Sequence, residues 1–219
     1  MKYAPWVLVL AVVASLAEGA PVVVNTYDAD SGELIRTTSR ETAQVSADST
    51  MLMTSWQDHR LGKTGTLRVL LDANYSTISW KLTEAGGDTE YVGDRDGDTV
   101  RVRGTLEGEA IDKEHDVEDL SFYHSPAVGL EAFVRSGAAK IEFTTLRPDD
   151  LSRHKMKAER KDVEQITVGG VDVRAVRVQW GLTGFRSAFY KRTFWFREAD
   201  GVFLRSSKSR GVYSELVSG

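Results

Sequence analysis

Gly65-Thr66-Leu67-Arg68-Val69-Leu70-Leu71-Asp72, then Ala73-Asn74-Tyr75-Ser76, then Thr77-Ile78-Ser79-Trp80-Lys81-Leu82-Thr83 is the stretch whose pattern decides the fold. Leu67, Val69 and Leu71 fall on one side of an extended chain, with Arg68 and Asp72 on the other. After the break around Asn74, Ile78, Trp80 and Leu82 alternate with Ser79, Lys81 and Thr83. A period of two marks a strand with one face toward a core and one toward water. Two such strands joined by a tight turn form an antiparallel hairpin.

The same pattern continues outward. Val100, Val102, Gly104 and Leu106 alternate with Arg101, Arg103 and Thr105. Turn pairs separate the runs: Ser31-Gly32, Gly86-Gly87, Asp96-Gly97, Glu107-Gly108, Gly169-Gly170 and Asp200-Gly201. These supply the positive-φ residues of tight hairpins. A mainly β fold follows: a single curved antiparallel sheet of meander topology, a half-barrel or open barrel. Two places break the alternation. Between Ala175 and Val176 the apolar phase changes, which points to a β-bulge and a bend. From Tyr123 to Arg135 the spacing turns helical: Ser125 can cap, Pro126 can start, Ala127, Leu130, Phe133 and Val134 form a stripe, and Gly137 stops it. One covering helix is therefore expected near 123–136. Arg147-Pro148-Asp149-Asp150-Leu151 reads as a turn, and Lys155–Lys161 as a strand that pairs with the one beginning near Val171. No repeat or linker is visible, so residues 20–219 are expected to form one domain.

At the N-terminus Lys2 precedes an apolar run from Ala4 to Ala17, and Ala17-Glu18-Gly19 offers small residues for cleavage. Residues 1–19 read as a cleaved signal peptide, which implies an exported protein, periplasmic or extracellular. No later run is long enough to span a bilayer as a helix. The chain has no cysteine, so disulfides are excluded and core burial must hold it together; this favours a bacterial source over a eukaryotic secreted domain. Residues 1–140 carry 13 Lys/Arg against 22 Asp/Glu, and residues 141–219 carry 15 against 10. Acidic and basic strands that pair across the sheet account for this split without a nucleic-acid partner.

Every catalytic pattern fails on spacing. Asp94-Arg95-Asp96-Gly97-Asp98 offers alternating carboxylates, but glycine stands fourth and Thr105 occupies the position of the terminal glutamate of a calcium loop. A hairpin turn is the expectation there, and likewise for Asp28-Ala29-Asp30-Ser31-Gly32-Glu33. Gly62-Lys63-Thr64 lacks the preceding glycine and the following helix of a phosphate loop. His59, His115, His124 and His154 are too dispersed to suggest a metal, and His115 reads as an exposed strand-end residue. Asn74-Tyr75-Ser76 is a glycosylation sequon that matters only in a eukaryote. No catalytic residue, metal or cofactor is assigned, and a non-enzyme is favoured.

Aromatics are the remaining resource. Trp56, Trp80, Trp180 and Trp195 fall in strands, with Phe189, Tyr190, Phe194 and Phe196 close to the last. Core packing is the first expectation for them. Gly169-Gly170-Val171-Asp172-Val173 with Ala175 and Val178, and Phe194-Trp195-Phe196-Arg197-Glu198-Ala199-Asp200-Gly201-Val202-Phe203-Leu204, resemble a group of bacterial exported proteins described as a domain of unknown function. Leu71-Asp72 and Thr77 to Trp80 fit the same layout. That group is similar in architecture to lipoprotein carriers, whose curved sheet wraps an apolar cavity closed by helices. The resemblance implies a binding protein for a lipid or other apolar small molecule. The bulged strand, the amphipathic helix and the aromatic density late in the chain single out Phe133, Trp180 and Trp195 as candidate lining residues. The alternatives are an extracellular carbohydrate-binding module or hydrolase, and a structural component of the envelope.

Overall fold

The computed structural model describes residues 21–184, 190–207 and 211–219; the expected leader at 1–19 and Phe189 lie outside the described residues. The first eight strands are β1 (Val22–Asp28), β2 (Leu34–Ser46), β3 (Ser49–Asp58), β4 (Lys63–Asp72), β5 (Thr77–Glu84), β6 (Glu90–Asp96), β7 (Thr99–Leu106) and β8 (Glu109–Asp116). Each pairs antiparallel with the next. After the short β9 (Ser121–Phe122) comes helix α1 (Pro126–Arg135). The chain then returns through β10 (Lys140–Leu146), β11 (Arg153–Val168), β12 (Val171–Leu182), β13 (Lys191–Arg197), β14 (Phe203–Ser206) and β15 (Val212–Ser218).

All fifteen strands belong to one sheet, in the order β8-β7-β6-β5-β4-β3-β2-β1-β15-β14-β13-β12-β11-β10-β9. The first and last strands meet at its centre, where β1 pairs with β15 from Asp28–Val212 to Val23–Ser218. The free edges are β8 and β9, which only residues 117–120 separate in the chain. So short a link forces the sheet to curl until its edges approach. They do not pair with each other. The seam is instead spanned by Lys113 Nζ donating to the Asp150 carbonyl (2.7 Å) and Arg153 donating to the Asp116 carbonyl (2.6 Å). Ser76 Oγ accepts the Phe122 N–H at 2.9 Å beside them. The result is the open, barrel-like meander that the alternation implies.

Leu67, Val69 and Leu71 are buried, as are Trp80, Val100 and Val102. The Asp96-Gly97 turn joins β6 to β7, with Asp96 opposite Thr99, and the acidic run around it is a hairpin end. Lys63 opens a strand, so no helix follows Gly62. Arg147–Leu151 is a turn closed by the Leu151 N–H on the Arg147 carbonyl at 2.8 Å. Lys155–Lys161 lies within β11, as expected.

Helix α1 starts at Pro126. The Ser125 side chain makes no capping bond; its carbonyl accepts the Val128 and Gly129 N–H groups at 3.0 and 3.2 Å. Gly137 ends the helix at φ +72°, a conformation that suits glycine. Val128 packs into a core built by β3–β7 with Val117, Phe122, Leu146 and Leu151. Leu130, Phe133 and Val134 enter a second core with Phe143, Met156, Val178, Trp180 and Phe196. The helix therefore joins the two arms of the sheet rather than covering one of them.

The bulge sits elsewhere than the apolar pattern suggests. Ala175 to Gly181 pair with β13 without a shift. The register instead slips on β11 between Arg160 and Val163, which adds a residue opposite Arg177. The phase change in β12 has another cause: both of its faces are buried there. Val176 faces the second core, while Ala175 joins Ile166, Val168, Leu204 and Leu216 in a third cluster on the opposite face.

Candidate functional site

Residues between His124 and Arg192 form a pocket at one end of the second core. β11 contributes His154 and Met156, β12 contributes Trp180 and Leu182, and Tyr190 and Arg192 come from the start of β13 and the residue before it. His124 and Pro126 at the head of the helix also line it, as do Thr145 and Leu146 at the end of β10 and Arg147 to Asp149 of the β10–β11 turn. The volume is about 320 Å³, at the lower end of the range of about 300–1,000 Å³ common for small-molecule sites.

The alternation of β12 and β13 explains the lining. Val176, Val178 and Trp180 pair with Phe196, Phe194 and Arg192, so all six share the core-facing side. Trp180 is 7% exposed. Its ring lies 5.2 Å from Phe194 and 5.7 Å, edge-on, from Tyr190. Arg192 is the last residue of that row, and its guanidinium lies 5.5 Å from the Phe194 ring centre. A cation thus stands at the mouth of an aromatic floor.

Seven side-chain polar atoms among the described residues are shut off from solvent with no hydrogen-bond partner. Three of them belong to residues of this pocket: His124 Nδ1, Trp180 Nε1 and Arg192 Nε. Leaving such a group unsatisfied costs about 1–3 kcal/mol, which is why the great majority of buried polar groups are paired. That three of the seven belong to residues lining one concavity sets this pocket apart. His124 Nε2 and Nδ1 belong to a ring 4.8 Å from that of Trp80. Burial pushes the imidazole down to about 4, so it is neutral at neutral pH. Several other polar lining groups are engaged. Thr145 donates to the Tyr123 carbonyl at 2.7 Å, and His154 Nε2 lies 3.0 Å from Ser152 Oγ. Arg147 holds Asp150 in a two-bond fork from Nε and Nη2, and these bonds, with the Ser152 N–H, keep that carboxyl well below the usual range.

A larger concavity of about 570 Å³ opens beside Trp56, Thr64, Gly65 and Thr66. Trp56 and Gly65 share its lining with Thr and Ser residues of β2–β5, and it holds none of the shielded, unpartnered atoms.

Of the three aromatic residues singled out from the sequence, Trp180 lines the pocket. Phe133 is buried in the same core but stands behind the lining. Trp195 lies on the opposite face of β13, packed on the third cluster, with Nε1 donating to Glu164 and Arg205 4.8 Å above its ring. His124, Met156, Tyr190 and Arg192 were not singled out. Arg192 had a readable signal, since its parity matches Phe194 and Phe196 and places a charge on an apolar face. His124 had none, because only the fold brings it to Trp180. His115 is half-buried rather than exposed: it stands in edge strand β8, and burial, Lys113 and Arg153 lower its proton affinity.

No family model matches the chain, and no curated protein matches its sequence. Solved structures do match its shape. A β-barrel-like protein of the domain of unknown function DUF1849 from Brucella abortus superposes with a TM-score of 0.58 at 10% identity, over 90% of this chain and 96% of its own. A DUF1089 family protein from Pseudomonas aeruginosa gives 0.43 at 13% identity, over 92% and 97%. The hypothetical lipoprotein YmcC from Escherichia coli gives 0.38 at 9%, over 91% and 83%. The first likeness supports the fold: a β-rich, barrel-like architecture, as the sequence resemblance implies.

Proposed function

We propose that this chain is a binding protein, not an enzyme, and that its ligand is a small molecule with an apolar body held in the pocket over Trp180. The observation that supports this reading is that three residues lining one aromatic-floored concavity each carry a nitrogen with no hydrogen-bond partner. Such a site holds hydrogen-bonding capacity that a ligand can satisfy. The side chains of α1 occupy the concavity of the sheet, so the ligand lies at the end of the helix rather than wrapped by the strands. This narrows the lipid reading to a small or short-chain molecule. Residues 1–19 supply the reason to place the protein outside the cytoplasm, as an exported single-domain binder.

Equilibrium uptake of a fluorescent apolar probe such as 1-anilinonaphthalene-8-sulfonate tests this proposal. Wild-type protein is expected to take up one equivalent, and Trp180→Ala to lose about tenfold or more in affinity, since a buried Trp anchor contributes strongly to binding. Trp195→Ala, on the opposite face, is expected to bind as wild type. Equal loss in both variants, or no saturable uptake by wild type, overturns the reading.

A further inference from the structure

Arg192 forms no ion pair among the described residues, although it stands at the mouth of the pocket. The second cation there, Arg147, is committed to Asp150 by two bonds. Asp149 is exposed on the same rim. Among the described lining residues, Arg192 is the cation held by no carboxylate, Trp180 carries an unpaired N–H donor, and His124 is a neutral imidazole. We infer that the pocket selects a small organic monocarboxylate, its carboxylate facing Arg192 and its apolar body lying on Trp180 and Met156.

The chemistry favours this class over its neighbours. A guanidinium presents its N–H groups in a planar fork that matches a carboxylate, and a charge-assisted bond is stronger than a neutral one. A phosphate dianion would bring a second negative charge toward Asp149, and among the described lining residues no second cation free of a carboxylate meets it. An amine would face Arg192 with like charge. A neutral alcohol would satisfy Trp180 Nε1 but leave Arg192 without an acceptor of opposite sign. The volume of about 320 Å³ suits an aromatic or short aliphatic acid.

This inference rests on the pocket reading above, and a matched head-group series separates the two. Full-length purified protein is titrated at pH 7 with 3-phenylpropanoate, hexanoate and octanoate, and with the alcohol and phosphonate of the same bodies. At least one acid is expected to bind about tenfold or more tightly than its alcohol, and to shift the Trp180 indole N–H resonance. Arg192→Gln is expected to remove that preference while it keeps alcohol binding, which also shows that the variant is folded. Acid and alcohol binding alike would overturn the head-group inference and leave the pocket reading standing. A phosphonate that binds more tightly than the acid would overturn the charge count. Absence of binding by every compound, with the indole resonance unmoved, would overturn the inference and, together with failed probe uptake, the pocket itself. The wild-type series and the indole shift keep the test decisive if Arg192→Gln does not fold.

Discussion

At the residue scale, His124 couples the candidate site to stability through its proton. Burial lowers its affinity from the ordinary value of 6.5 to about 4. The unfolded chain therefore takes up the proton first as pH falls. Between about pH 6.5 and 4 each step toward acid favours unfolding, and above 6.5 the group contributes no slope. The whole interval amounts to on the order of 3 kcal/mol. His115 is shifted in the same direction. The carboxyls of Asp58, Asp112, Glu118 and Glu159 are held down by their cationic and N–H partners. Their stabilisation is present above the ordinary carboxylate range and is lost as pH falls through their lowered values, so they act later than the histidines. Urea midpoints at pH 7, 6 and 5 are expected to fall steadily for the wild type and less steeply for His124→Phe. Parallel profiles would show that this ring does not titrate as a buried group.

At the scale of elements, α1 is anchored by a charge rather than by its stripe alone. Glu131 lies on the apolar side of the helix, four residues after Ala127 and three before Val134. It is 6% exposed, accepts from Arg40 of β2 at 2.5 Å, and also accepts the Phe203 N–H of β14 at 3.0 Å. One carboxylate thus ties both arms of the sheet to the helix. Removing one partner of such a pair strands a buried charge, so Arg40→Ala is expected to cost about 3–5 kcal/mol by chemical denaturation. Arg174→Ala, whose pair with Glu198 is exposed, is expected to cost under about 1 kcal/mol. Similar costs would show that Glu131 is not a clamp. The helix itself was legible, because Pro126, Leu130, Phe133 and Gly137 follow rules of local sequence. So were the hairpins, whose turn glycines and alternation are also local. The placement of the bulge on β11 was not, since two buried faces of one strand produce the same apolar phase change as an extra residue. Nor were Glu131's partners or the assembly of His124, Trp180 and Arg192, which depend on contacts between segments far apart in sequence.

At the scale of the whole molecule, two features oppose each other. The pairing of β1 with β15 and the helix that enters both cores tie the chain into one unit. The seam between β8 and β9 carries no strand pairing and relies on side chains such as Lys113 and Arg153. Edge strand β8 also bears Glu109, Asp112, Lys113, Glu114 and Asp116, and charges of this kind discourage pairing with another molecule. We therefore expect one cooperative transition, with tryptophan fluorescence and far-ultraviolet circular dichroism superimposing, preceded by local opening at the seam. Native-state hydrogen exchange locates that opening. Lys113→Ala with Arg153→Ala is expected to accelerate exchange in β8 and residues 117–122 while the β1–β15 amides keep their protection, as local unfolding units do. Separate fluorescence and dichroism transitions would divide the arms into two units. Equal acceleration throughout the sheet would instead make the seam part of the global unit, because its opening would then require the pairing at the centre to break as well.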